Sequence, residues 1–435
     1  MSYSLRPYQQ EAVDFALDAL KDAKKPVLMS LATGWGKTWA IAEIAKRWKG
    51  KVLVLTLSKE LCEQDYAKMC LVVGKEGVGM YSASWDRKEV ESITIATIQS
   101  AYKHPELWED YSLIIGDEVD NLPVDGMFGT LIGDKKVLGL TATPYATVGS
   151  RKGHWFTTKL WPLHKIKTKT RGWFWQPVAY SCSERDLIER GYLCKMKIYS
   201  SPIACNLLKV SSNGAEYTTE SVDKWVAQIY GRIIEVMLGA EDHGMCKSGI
   251  VFMPSVGSCE QLEALCEEHH ISARAVHYKT DATQRNKIIE GHKAGRIKWL
   301  INQGVATRGF DNPIVDCLVI ARPTKSLRLH RQILGRGLRL AEGKTICNVL
   351  DLTENCKTWG APEDVIIKRK EGSWEDQILL RGKDISGMEV AKINLNQRRN
   401  NGTSEKARTI GVWRPEEHDG FVSRLSRSGK GLGKN

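Results

Sequence analysis

The feature that most constrains this chain is a short apolar strand running straight into a glycine-rich loop and then a helix. Val27–Leu31 reads as a strand, Ala32-Thr33-Gly34-Trp35-Gly36-Lys37-Thr38 follows, and Trp39–Trp48 carries a helical pattern. Such a turn points successive backbone N–H groups inward at oxygens, and the helix N-terminus adds partial positive charge. Gly34 and Gly36 allow the curl. Lys37 then supplies a cation for β- and γ-phosphates, and Thr38 a hydroxyl for Mg²⁺. Thr33 and Trp35 complete the candidate cradle. The strict pattern opens with Gly, whereas this chain has Leu31; taken alone, a Gly-rich turn before a helix remains an alternative.

A second element narrows the choice. Ile114-Ile115-Gly116-Asp117-Glu118-Val119-Asp120 ends an apolar strand with adjacent acids. Ligands of parallel α/β sheets sit at the C-terminal ends of strands. Asp117 is suited to Mg²⁺, which takes few carboxylates and keeps waters. Glu118 is suited to orienting and deprotonating an attacking water.

The apolar segments are continuous rather than alternating, as in parallel sheets buried on both faces. The first series is Val27–Leu31, Val52–Thr56, Ile93–Ala96, Leu113–Gly116 and Val137–Leu140. The second is Gly249–Met253, Arg274–His277, Trp299–Asn302, Asp316–Ile320 and Ile346–Leu350. With helical segments between them, they predict two tandem doubly wound α/β domains, at 1–200 and 201–370. Residues 371–435 are rich in Gly, Ser, Asn and basic groups, and read as a partly disordered tail, either solvated or nucleic-acid-binding.

Among 435 residues, 42% are hydrophobic and 26% charged, the balance of a globular protein. No apolar run is long enough for a membrane span, the first residues lack a signal-peptide core, and a cytoplasmic location is expected. The eleven cysteines show no paired spacing and are expected as thiols. Cys259, Cys266, His269 and His270 fall on a helix-like stretch with no second ligand pair, so a structural metal is not expected there. The formal net charge of +12 favours a polyanionic partner.

In their order along the chain, these segments resemble the motifs of superfamily 2 helicases. Leu5-Arg6-Pro7-Tyr8-Gln9 resembles the upstream adenine-reading motif, so Arg6 and Gln9 would line the base site. The phosphate loop corresponds to motif I, Leu55–Gln64 to motif Ia and Thr97-Ile98-Gln99-Ser100 to motif Ib. Asp117-Glu118-Val119-Asp120 is similar to motif II, with Asp120 where many relatives have histidine, and Thr141-Ala142-Thr143-Pro144 to motif III. Ile250–Ser255 resembles motif IV. Thr307-Arg308-Gly309-Phe310-Asp311 resembles motif V, so Gly309 and Asp311 would meet the nucleotide. Gln332-Ile333-Leu334-Gly335-Arg336-Gly337-Leu338-Arg339 resembles motif VI, so Gln332, Arg336 and Arg339 would act in catalysis. If this last segment is helical, the two arginines, three apart, share a face.

The resemblance implies two RecA-like domains with an ATP cleft between them, ATP and Mg²⁺ as cofactors, and arginines that stabilise charge on the γ-phosphate. Thr141 and Gln332 favour DNA over RNA and look most like the RecG and UvsW branch-migration types. The expected activity is therefore an ATP-dependent helicase on branched or forked DNA. The alternatives are an RNA helicase, or a nucleotide-gated nucleic-acid clamp. No obligate protein partner is implied. Residues 151–183 combine seven Lys and Arg with Trp155, Trp161, Trp173 and Trp175 and no acid. This suits either a grip on a strand junction or tryptophans packed between domains.

Overall fold

The computed structural model describes residues 4–390 except 123, 153–154, 202, 204–207, 212–215 and 305–311; of 150–152 and 155–157 it describes the backbone alone. Gly309 and Asp311 lie outside the described residues. The chain divides into two compact units. Of the described residues, one holds those up to Leu193 together with Pro362 to Val390, and the other holds Cys194–Ala361.

The first unit is built on an eight-stranded sheet of order β10-β1-β7-β6-β2-β5-β3-β4. Its strands are β1 (Val27–Leu31), β2 (Lys51–Thr56), β3 (Val78–Ser82), β4 (Arg87–Lys88), β5 (Ile93–Thr97), β6 (Tyr111–Asp117), β7 (Lys136–Thr141) and β10 (Tyr180–Cys182). All pairings are parallel except that of β3 with β4. Every residue of β1, β3 and β5 is buried, as an interior parallel sheet requires. Because β7 lies between β1 and β6, three strand ends converge: Leu31 before the phosphate loop, Thr141, and Asp117. Helices α1 (Pro7–Asp22), α2 (Lys37–Arg47) and α3 (Lys59–Val73) belong to this unit.

An antiparallel ribbon, β8 (Tyr145–Lys152) with β9 (Trp155–Pro162), follows directly on Pro144. Beyond Pro362 the chain adds a three-stranded antiparallel sheet of β17 (Val365–Arg369), β18 (Asp376–Leu380) and β19 (Lys383–Asp384). The expected tail therefore does not begin at 371, and the domain divisions fall at 193/194 and 361/362 rather than at 200 and 370. The cause is visible in β18, whose burial alternates, with Asp376, Ile378 and Leu380 inside. Asp376 accepts the Val178 N–H at 2.7 Å, which ties this sheet to the first unit.

The second unit has a six-stranded parallel sheet, order β11-β16-β15-β12-β14-β13. It comprises β11 (Lys195–Ser200), β12 (Gly249–Phe252), β13 (Ala273–His277), β14 (Trp299–Gln303), β15 (Cys317–Ile320) and β16 (Ile346–Asp351). Cys259 and Cys266 pack in its hydrophobic core beside Trp299 and Val319, and burial pushes both thiols up to about 12. Among the described residues, no helix is long and apolar enough to cross a membrane.

Candidate nucleotide site

The phosphate loop is fixed from three sides. Ala32 N–H donates to the Cys182 carbonyl at 3.0 Å. Thr33 N–H donates to the fully buried Glu184 carboxylate at 3.0 Å. The Trp35 carbonyl accepts from Tyr8 Oη and from Gln9 Nε2, each at 3.1 Å. Gly36, at φ +90°, is the residue before α2, and a Cβ there would lie 2.7 Å from Gln9 Nε2. Left-handed backbone and a crowded Cα together require glycine at this position. Trp35 is fully buried, its ring edge-on to Tyr8 with centroids 5.3 Å apart; the bulky residue in the loop is thus absorbed by the core.

Gln9 is committed to the protein at both ends of its amide, because its Oε1 also accepts the Arg6 N–H at 3.0 Å. Arg6 lies with its guanidinium over the Tyr192 ring at 5.3 Å. Gln9 thus braces the loop from α1, while Arg6, the residue before that helix, holds Gln9 through its backbone N–H.

Lys37 Nζ pairs with Glu118 Oε1 at 2.6 Å. Burial opposes the ammonium, but Glu118 and then Asp117 outweigh it and hold Lys37 above its usual pKa. Glu118 adopts φ +52°, a left-handed conformation uncommon outside glycine. Strain of this kind concentrates at functional sites. Asp117, at the end of β6, is buried with no hydrogen bond to its Oδ1. Its carboxyl is raised well above the usual range by burial, then by Asp65 and Glu118.

Asp65 of α3 was not foreseen. Burial lifts its carboxyl to about 7, against the lowering influence of the neighbouring Thr38 hydroxyl. Its signal in the sequence is a charge within the apolar stripe Cys62, Asp65, Met69 and Val72. Glu184 was missed as well, since a carboxylate that grips a backbone N–H leaves no local pattern. The Thr38 hydroxyl and the Asp117 carboxylate are oxygen donors of the kind that could hold a hard divalent cation.

Asp120 connects motif II to motif III. Its two carboxylate oxygens accept from Thr141 Oγ1 at 2.6 Å and Thr143 Oγ1 at 2.9 Å. The acid in place of histidine therefore makes this coupling doubly. Motifs Ia and Ib are also linked, by Gln99 Nε2 donating to the Leu57 carbonyl at 3.4 Å.

In the second unit the helix Leu327–Gly335 ends before the arginines. Arg336 is its C-cap, and Arg339 lies beyond it, so the expected shared helical face is not formed. Burial pushes the Arg339 guanidinium down to about 10. The loop is held from behind by Lys344, whose Nζ donates to the carbonyls of Gly337 (2.8 Å), Arg339 (2.6 Å) and Pro313 (3.1 Å). Gln332 faces a cavity of about 460 Å³ that it shares with Glu216, Arg322, Ser326 and Arg328.

The tryptophans of 151–183 differ in burial, and Trp175 packs inside the first unit rather than between domains. Trp175 is buried, stacked on Phe128 and lying against Gly139, where a Cβ would clash at 2.5 Å. Trp173 is 64% exposed, with Lys167 Nζ 5.3 Å from its ring centre. The Trp155 side chain lies outside the described residues.

Two family models match the chain. Residues 2–146 match the type III restriction enzyme res subunit, and residues 230–341 match the helicase conserved C-terminal domain. Over 405 residues the chain is 24% identical to a Saccharomyces cerevisiae protein named as an ATP-dependent helicase, IRC3, covering 89% of this chain and 57% of that one. Over 343 residues it is 26% identical to a 51.5 kDa protein of a Lactococcus phage, covering 76% and 66%. The chain thus spans somewhat under two thirds of these relatives. Relatives named as RNA helicases match too. Among solved structures, a fragment described as an HsdR subunit of a type I restriction enzyme from Vibrio vulnificus shares the fold. Its TM-score is 0.62 at 21% identity, over 83% of this chain and 67% of that one. These matches lie toward IRC3 and restriction enzymes, and do not show the expected closeness to the RecG and UvsW types. With a largely parallel sheet in each unit, a restriction-enzyme model matched in the first and a helicase model in the second, the chain is similar to the ATP-dependent helicases of superfamily 2.

Proposed function

We propose that this chain is an ATP-driven motor on DNA that acts at forks or branch points. One observation carries the reading: within a single turn, Glu118 pairs with Lys37 while Asp120 holds Thr141 and Thr143. A triphosphate that takes Lys37 competes directly with Glu118. The freed carboxylate can then orient a water toward the γ-phosphate. The same short segment passes its displacement to motif III through Asp120. Mg²⁺, when bound through Thr38 and Asp117, neutralises phosphate charge. The likeness of their segment to motif VI supports Arg336 and Arg339 as cations that stabilise the transferring phosphoryl group.

Thr141 and Gln332, together with the restriction-enzyme likeness of the first unit, support DNA as the track. The net charge of +12 and the exposed Trp173–Lys167 pair support a strand held by its phosphates and base faces.

Steady-state ATP hydrolysis and unwinding, measured against a fork, a four-way junction, single-stranded DNA and an RNA duplex, test this. Forked or branched DNA should stimulate most. Greater stimulation by RNA would replace DNA with RNA as the track. Nucleotide-dependent binding without stimulation by any substrate would leave a clamp.

A further inference from the structure

Asp65 is a carboxylate in a place built for hydrocarbon. It faces inward from α3 between Cys62 and Met69 and is 1% exposed. Among the described residues neither of its oxygens has a partner of good hydrogen-bond geometry beyond the influence of the Thr38 hydroxyl, and Asp117 Oδ1 has none. Burying an ionised carboxylate that lacks full hydrogen bonding is strongly unfavourable. The groups that act on Asp65 are the Thr38 hydroxyl, the cations Lys68 and Lys37, and the acid Glu118. Asp65 is in turn the foremost charge acting on Asp117. Two buried acids therefore repel each other beside the hydroxyl at the start of α2. A divalent cation would turn each of these repulsions into an attraction, and Mg²⁺ accepts carboxylates through its retained waters.

We propose that Asp65 is a further carboxylate of the Mg²⁺ site, holding the ion's water shell beside Thr38 and Asp117. The assignment rests on the nucleotide-site reading given above. It also accounts for the position of α3: the helix that begins at the strand-contact motif carries an acid into the site.

The test is Mn²⁺ binding, followed by electron paramagnetic resonance in the presence of a non-hydrolysable ATP analogue. Asp65→Asn keeps the size and removes the charge. It should weaken Mn²⁺ binding by roughly tenfold or more, the usual consequence of removing a partner of the ligand sphere. Affinity for the analogue in EDTA should not change. Without metal, D65N should melt above the wild type, because a buried repulsion is gone, and it should gain less on addition of Mg²⁺ and analogue. A purely structural role predicts the opposite sign, a lower metal-free melting temperature. Wild-type Mn²⁺ affinity in folded D65N overturns the proposal, and Asp65→Ser provides the same readout if D65N does not fold. Asp117→Asn serves as the reference. Loss of Mn²⁺ in D117N alone rejects Asp65 and leaves the nucleotide site standing, whereas a wild type that binds no Mn²⁺ with the analogue rejects both.

Discussion

Lys37 and Lys344 are both largely buried lysines beside loops that carry the helicase motifs, yet the two units hold them in different ways. Lys37 leans on acids, with Glu118 at 2.6 Å and Asp117 behind it. Lys344 leans on backbone, using its ammonium protons on three carbonyls, while burial lowers its pKa. An ammonium has three donors, so Lys344 is saturated and its partners cannot leave. Lys37 is paired with one side chain that a phosphate can displace. The first arrangement suits a cation that changes partners during a reaction. The second suits a cation that keeps a loop in shape so that the arginines on it are presented in one conformation.

Rate measurements offer the largest effects by which to break this contrast. Lys37→Ala and Arg339→Ala should each reduce nucleic-acid-stimulated ATP hydrolysis by ~10³, with DNA binding still measurable. Lys37→Ala should leave the melting temperature close to that of the wild type, because Glu118 is partly exposed and can be solvated. Wild-type hydrolysis by either variant would remove the site assignment. Next comes Lys344→Met, which strands three carbonyls. It should cost about 3 kcal/mol in urea unfolding and slow turnover through misplaced arginines. A stability loss near zero would mean that Lys344 is not the anchor described.

The smallest effect sharpens the comparison from the second unit alone. His292 is fully buried, with Asn312 Nδ2 2.9 Å from its Nδ1, Ser248 Oγ 3.2 Å from its Nε2 and the Gly249 carbonyl at 3.1 Å. Burial lowers its pKa from 6.5 to about 4. Between those values the unfolded chain binds the extra proton. The stabilisation is therefore complete above about pH 6.5 and is lost as pH falls toward 4, reaching about 2 kcal/mol at pH 5. Chemical unfolding at pH 7 and pH 5 should show this loss, and His292→Gln should flatten it. An unchanged acid limb in the variant would show that other groups govern it.

Much of this molecule could be read before its fold was seen, and the reason is physical. Each of the ten strands named from the sequence overlaps an observed strand, because strands buried on both faces must be continuously apolar. The phosphate loop and Asp117-Glu118 were legible because their chemistry needs particular residues at fixed spacing. The rest depends on distant partners. Glu184 meets Thr33 across 151 residues, and Lys344 is bonded to carbonyls, which every residue has. The end of the motif VI helix at Gly335 was legible in Gly335-Arg336-Gly337, since glycine just past the last helical residue marks a C-terminus; the expectation of a shared arginine face passed over it. The sheet of β17 to β19 was hidden because charged residues of both signs interrupt its short strands; only the brief apolar runs Val365-Ile366-Ile367 and Ile378-Leu379-Leu380 betray it.

That late sheet bears on how the protein is made. Asp376 bonds to Val178, 198 residues earlier, and the whole of Cys194–Ala361 is translated between them. At typical elongation rates of ~5–20 residues per second, the first unit waits on the ribosome for about 10–40 s before its last strands emerge. Throughout that interval Val178 and Ser181 lack their partners Asp376 and Ile367, and the edge beside them stays unfinished.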